Sequence, residues 1–235
     1  WGEKLHKYIE NITLAGFNSN RQSGDRAVDG QDKVNNKITE DMIIGQFEDE
    51  NTRKYIGNFL KSKCWDFSGV ESLMLEQLFY WKVKNFFIVG KFDRVDIRKN
   101  GEIRVIDYKL SSYARNENKG ITNHNQADVS SDLNNNLYGA GDGRAGDLYF
   151  FQLGSYIAAL SGIYNKPARD ITGFLLYLKD GVERSIKFKD DEIKELKQDI
   201  ISIIDNILNN NFNVNFTSGC KKHCSYSEFC CSIYD

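Results

Sequence analysis

The chain has 235 residues, 27% of them charged and 40% hydrophobic, the balance of an ordinary globular domain and not of a collagenous, coiled-coil or wholly disordered chain. No apolar run approaches the roughly 18 residues that cross a bilayer, so a membrane-spanning helix is not expected. Lys and Arg number 31 against 33 Asp and Glu, for a net charge of -2, so a nucleic-acid surface would have to be a local patch.

Read in chain order, Leu5, Tyr8, Ile9 and Ile12 have the spacing of one helical face over residues 2–14. The stretch from Gly16 to Lys37 is rich in Asn, Gly and Asp and reads as a solvated loop. Helical pattern resumes from Thr39 to Lys61. Three strands follow, at about Leu75–Val83, Phe86–Arg98 and Glu102–Leu110, with Lys99-Asn100-Gly101 as a hairpin turn between the last two. Residues Ser111–Gly146 form a long polar excursion of the kind that carries function or disorder. A helix is expected over Asp147–Ser161, then strands at Ile171–Leu178 and Glu183–Phe188 around Lys179-Asp180-Gly181. The last helix spans Asp190–Asn209, with Ile193, Leu196, Ile200, Ile203, Ile204 and Ile207 along one stripe. The order α-β-β-β-α-β-β-α implies an α/β domain with a mixed sheet.

The chemistry concentrates in Gly90-Lys91-Phe92-Asp93-Arg94-Val95-Asp96 and Ile106-Asp107-Tyr108-Lys109. Alternation along a strand puts Asp107 and Lys109 on one face, with Tyr108 on the other. Their neighbours are apolar, and burying a carboxylate or an ammonium is costly unless it is paired or metal-bound. Asp93 lies on the adjacent antiparallel strand, where it can face Asp107. Two carboxylates and a lysine so arranged suit Mg²⁺ or Mn²⁺ and phosphodiester hydrolysis, in which a metal activates water and a lysine stabilises charge. An isolated D-x-K tripeptide is far more often a surface salt bridge. Asp96 is assigned to an ion pair with Arg94 or Arg98.

Four features in order extend the pattern over nearly the whole chain. They are Gly2 and Glu10 flanking His6, Glu76 at the head of the strand before the hairpin, the hairpin with its I-D-Y-K strand, and Gln152-Leu153-Gly154-Ser155-Tyr156 on the following helix. Together they resemble the RecB-type (AddB/RecB-like) branch of the PD-(D/E)XK nuclease superfamily. The resemblance implies a restriction-endonuclease-like core and a divalent-metal-dependent DNA nuclease of recombination, repair or end processing. It implies His6, Asp93, Asp107 and the Tyr108 carbonyl as metal ligands, and Lys109 as the catalytic lysine beside Asp107 and Asp93. Gln152 and Tyr156 would line the cleft and position DNA or Lys109, and Glu76 would line it too or be a strand-edge charge.

Of the five cysteines, Cys220, Cys224, Cys230 and Cys231 fall in the last sixteen residues, which favours a metal or cluster site over a disulfide framework. The tail resembles the 4Fe–4S ligands of many RecB-type nucleases, with one extra residue in the first gap. Cys64 is a candidate fourth ligand. Zinc with His223 is an alternative set, and unliganded thiols a third.

The chain starts in helical pattern without methionine and is expected to be a fragment of a longer protein. It reads as one nuclease domain, with a helical part over 1–75, a core over 76–210 and a cysteine tail over 211–235. Partners are expected to be single-stranded or free-ended DNA and a helicase in the same chain or complex, in the cytoplasm at the nucleoid, with exonuclease action favoured over endonuclease. Arg104, Arg115, Lys119 and Arg144 are candidate phosphate contacts, and Tyr113, Tyr138 and Tyr149 candidate base stackers. A non-catalytic DNA-binding module of a helicase–nuclease assembly and a restriction-type endonuclease are the competing classes.

Overall fold

The computed structural model describes residues 2–24, 40–113 and 144–211, of which 22–24 and 144–148 by backbone alone. Five helices, α1 (Gly2–Gly24), α2 (Glu40–Ile44), α3 (Glu50–Lys61), α4 (Arg144–Tyr164) and α5 (Asp190–Leu208), accompany five strands among the described residues. These are β1 (Val70–Val83), β2 (Phe86–Arg98), β3 (Ile103–Lys109), β4 (Ile171–Tyr177) and β5 (Val182–Lys187). They form one sheet in sequence order, antiparallel except for β3 beside β4. The parallel step needs a crossover, and α4 lies between those two strands in the chain. The expected mixed α/β architecture is therefore present.

One face of the sheet packs on the N-terminal helices. Leu5 and Ile9 of α1, Ile56 and Phe59 of α3, and Ile106, Tyr108 and Leu176 of the strands share a single apolar cluster. The other face meets α4, where Leu153 closes on Gly173 so tightly that a Cβ there would lie 2.5 Å from the leucine. By internal contacts the chain divides into Trp1–Lys197 and Gln198–Asp235. The boundary falls within α5. In the first unit Ile193 and Leu196 are buried as their stripe requires, and in the second Ile203 and Ile207 are exposed. No described helix is long and apolar enough to cross a membrane.

Three differences from the sequence reading have local causes. The loop expected from Gly16 is helical as far as Gly24. Gly16 does not break α1, because the Trp65 and Phe67 rings lie where its Cβ would stand, so glycine serves close approach there. The single helix over Thr39–Lys61 is two. Gly45 ends the first, and Asp49 starts the second by accepting hydrogen bonds from the Thr52 backbone N–H at 2.6 Å and its hydroxyl at 2.7 Å. β1 begins at Val70 instead of Leu75, extending the pairing to Val70 opposite Arg98. The Lys99-Asn100-Gly101 turn forms as expected, with Gly101 at φ +83°.

Arg94 is fully buried and makes two hydrogen bonds to Asp96, at 2.6 and 2.9 Å, and one to the Cys64 carbonyl at 2.6 Å. Arg104 donates to the second Asp96 oxygen at 2.6 Å and to the Asp66 carbonyl at 3.0 Å. This corrects the reading of Arg104 as a phosphate contact, since a guanidinium spent on a buried carboxylate is not presented to solvent. Asp96 pairs with Arg94, as assigned from the sequence. Arg115, Lys119 and Tyr138 lie outside the described residues, as does the Arg144 side chain.

Candidate active site

The site forms where the sheet forks. β2 and β3 pair from Ile97–Ile103 to Arg94–Ile106 and no further. Asp93 and Asp107 are the next residues on each strand, so both carboxylates stand at the first position beyond the last rung. β2 continues instead as a two-stranded ribbon with β1. The ladder's next bonded partner for Tyr108 would be Phe92. Instead, the Tyr108 N–H donates to Asp93 Oδ2 at 2.9 Å. The N–H and C=O of a strand residue point to the same edge, so the Tyr108 carbonyl also faces the fork.

Elements on both faces converge here. His6 of α1 brings Nδ1 to 3.7 Å from Asp93 Oδ1 and 3.8 Å from Glu76 Oε1. One ligand atom each from His6, Glu76 and Asp93 lie within 4.8 Å of one another. Glu76 sits on β1 across from Asp93, between the rungs Leu75–Arg94 and Gln77–Phe92, and its backbone is left-handed, with φ +49°. That conformation is strained for a residue with a side chain. Lys91 pairs with the other Glu76 oxygen. A groove of about 410 Å³ opens beside these groups, lined by Gly2, Glu3, His6, Lys7, Glu76 and Lys91 among others.

From the other side, Lys109 Nζ lies 2.6 Å from Asp107 Oδ2 and donates to Gln152 Oε1 at 2.7 Å. It also stands 4.1 Å from the centre of the Tyr149 ring. Gln152 in turn donates to the Tyr156 hydroxyl at 2.9 Å, one helical turn on. Tyr156 packs edge-on against Phe79 and Phe92, which stack on each other at 4.3 Å. Tyr149 and Tyr113, candidate base stackers from the sequence, both pack against Tyr177.

Burial dominates the electrostatics. It raises the Asp107 carboxyl to about 6, with Asp93 adding to the shift and Lys109 opposing it. Asp93 is raised too, by burial first, against the pull of the Tyr108 N–H and His6. Apart from the Lys109 ammonium, the buried Asp107 Oδ2 has no hydrogen-bond partner among the described residues. The carboxylates of Asp93, Glu76 and Asp107, with the His6 imidazole beside the first two, are a donor set that fits a hard divalent cation.

A pH-dependence follows for the protein in EDTA. A folded carboxyl raised above its unfolded value binds more protons in the native state, so stability falls as pH rises through that interval. For Asp107 the window runs from about 4 to about 6, and the loss approaches about 3 kcal/mol from a shift of about two pH units. Urea titrations across pH 4–7 should show this loss, and Asp107→Asn should reduce it to the part that Asp93 contributes. Stability of the parent chain that rises over the same window would refute it.

The sequence motifs thus converge on one place: His6, Asp93, Asp107, Lys109, Gln152 and Tyr156 are all present. Asp107, however, is engaged by Lys109, while the close trio is His6, Asp93 and Glu76. Glu76, read as a cleft residue, was legible as Asp93's neighbour by counting back from the two-residue turn Lys84-Asn85, which sets Val83 opposite Phe86. Cys64 is buried, its S–H directed at the Glu183 carboxylate at 3.5 Å, and burial pushes the thiol well above its usual range, with Glu183 adding to it. Cys220, Cys224, Cys230, Cys231 and His223 lie outside the described residues.

The profile of the PD-(D/E)XK nuclease superfamily matches residues 3–231. The chain belongs to that superfamily, whose nucleases typically use Mg²⁺ or Mn²⁺ and act on DNA. Among solved structures, the crystal structure of SSO0001 is similar at 19% identity and a TM-score of 0.34, over 68% of this chain and 61% of SSO0001. The chain thus spans less than two thirds of that protein's length. No curated protein matches it.

Proposed function

We propose that this chain is a metal-dependent deoxyribonuclease whose active site is the fork between β2 and β3. The observation that supports it most is the convergence of Asp93 and Asp107, one residue past the last shared rung, with His6 on one side and Lys109 on the other. His6, Asp93, Asp107 and the Tyr108 carbonyl would hold a Mg²⁺ or Mn²⁺, with Glu76 added to that set by its approach to His6. When bound, the cation would acidify a water and offset phosphate charge.

The chain's own part is positioning. Hydrolysis forms a bond from the water oxygen to phosphorus and breaks one P–O ester bond, and the departing oxygen takes up a proton. Lys109, held by Asp107, Gln152 and the Tyr149 ring, is poised to donate to the incoming water or to a phosphoryl oxygen as charge grows on it. Gln152 and Tyr156 keep the lysine aimed.

The finer assignments belong to the same proposal and rest on motif order. They are a RecB-type branch, exonuclease action in recombination, repair or end processing, cytoplasmic work at the nucleoid, a helicase partner, and one domain ending in a 4Fe–4S tail of Cys220, Cys224 and Cys230. Zinc is the alternative tail metal. The bond from Cys64 to Glu183 supports a core role for Cys64 over a place in the cluster.

The deciding experiment is digestion of end-labelled single- and double-stranded DNA with Mg²⁺, Mn²⁺ or EDTA, beside Asp107→Ala. Cleavage that needs the cation and vanishes in the variant is expected. DNA binding without cleavage under every condition would leave the scaffold reading in its place.

A further inference from the structure

Beyond the fork, β1 and β2 run on as a ribbon without β3, and its two faces differ. Phe79, Trp81 and Phe92 are buried, with Phe79 laid over Gly90 where a Cβ would clash. The opposite face carries the cross-strand pairs Leu78–Lys91, Tyr80–Val89 and Lys82–Phe87, every member of them exposed. Tyr80 and Phe87 are 63% and 62% exposed, unusual for rings in paired strands. A contiguous apolar patch rimmed by charge marks an interaction site.

The patch begins at the site itself, because Lys91 on its first rung pairs with Glu76. Its three rungs then span about 14 Å of ribbon at about 3.4 Å per residue. Apolar and aromatic side chains alternate with lysines across each end rung, so a ligand lying along the ribbon meets ring faces and ammonium groups in turn. Stacking platforms for unpaired bases flanked by cations have this make-up. In a duplex the base faces are stacked on each other and cannot reach such rings.

We propose that the outward face of the β1–β2 ribbon binds a single DNA strand by stacking bases on Tyr80 and Phe87, with Lys82 on the backbone, and leads the strand to the fork. The inference rests on the nuclease reading for its choice of ligand.

The test is anisotropy of a labelled oligothymidylate and of a labelled duplex, in Ca²⁺ buffer, with cleavage in Mg²⁺ followed separately. Tyr80→Ala and Phe87→Ala should each weaken single-strand binding about 10-fold and leave duplex binding little changed. Tyr80→Phe and Phe87→Tyr should keep parent affinity, since a ring remains. Lys82→Ala should reduce the salt slope of binding by about 1. Unchanged single-strand affinity in the doubly substituted Tyr80→Ala, Phe87→Ala protein would overturn the proposal, as would equal losses for duplex. So would a parent dimer that falls to monomer in that variant with DNA affinity intact, which makes the face a protein contact. Normal cleavage with unaltered binding would sink the ribbon alone. Ring-dependent binding without any metal-dependent cleavage would sink the nuclease reading alone.

Discussion

Lys109→Ala is expected to cut single-turnover DNA cleavage by about 10²–10³, the effect of removing one group aimed at transition-state charge, while Mn²⁺ binding by calorimetry persists. The ammonium is not a loose surface charge: Asp107, Gln152 and the Tyr149 ring fix it from three directions. Such a group contributes when charge develops and little before, so the loss should fall on turnover and not on KM. Removing it also takes away the cation that opposes burial at Asp107, so in EDTA the Asp107 carboxyl should titrate still higher than about 6. Lys109→Arg should rescue poorly, because a planar guanidinium cannot meet Asp107 and Gln152 as a compact ammonium does. Parent turnover in Lys109→Ala would contradict the role.

Asp96→Ala should be the most destabilising single change near the site, by about 3–5 kcal/mol, the usual cost of removing one partner from a buried ionic group. The carboxylate lies between Arg94, which has no exposure, and Arg104, and its loss would strand two guanidiniums in the sheet. Arg94 keeps the Cys64 carbonyl and stands 4.7 Å from the Phe67 ring, but neither neutralises it. Urea unfolding should report the loss as a lower midpoint. Arg104→Met should cost less, because Asp96 would keep both Arg94 bonds. These residues occupy the rungs Arg94–Ile106 and Asp96–Arg104, directly behind the fork, so cleavage by Asp96→Ala should fail at temperatures the parent tolerates. A midpoint equal to the parent's would show that the network adds nothing.

The parts of this fold legible in the sequence were those set by local rules. Alternation and the Asn-Gly turn gave β2 and β3, and alternation alone placed Asp107 and Lys109 together, which their 2.6 Å contact bears out. What escaped depended on tertiary partners. Gly16 looks like a loop signal until Trp65 and Phe67 are known to cover it. Arg104 looks like surface charge until Asp96 is found between two guanidiniums. Glu76 could be placed across from Asp93 by counting from the turn, but nothing local announces its left-handed backbone or its approach to His6.

Asp93 carries a consequence of its own. With Oδ2 it substitutes for the missing backbone partner of Tyr108, and with Oδ1 it looks toward His6. One oxygen is thus architecture, and the other stays free for the proposed metal. The rotational freedom that a flexible ligand surrenders when it captures its target has here been given up already, when the chain folded. Replacing Asp93 would therefore remove the Tyr108 partner and the proposed metal ligand together, whereas a change at His6 or Glu76 would leave the Tyr108 bond in place.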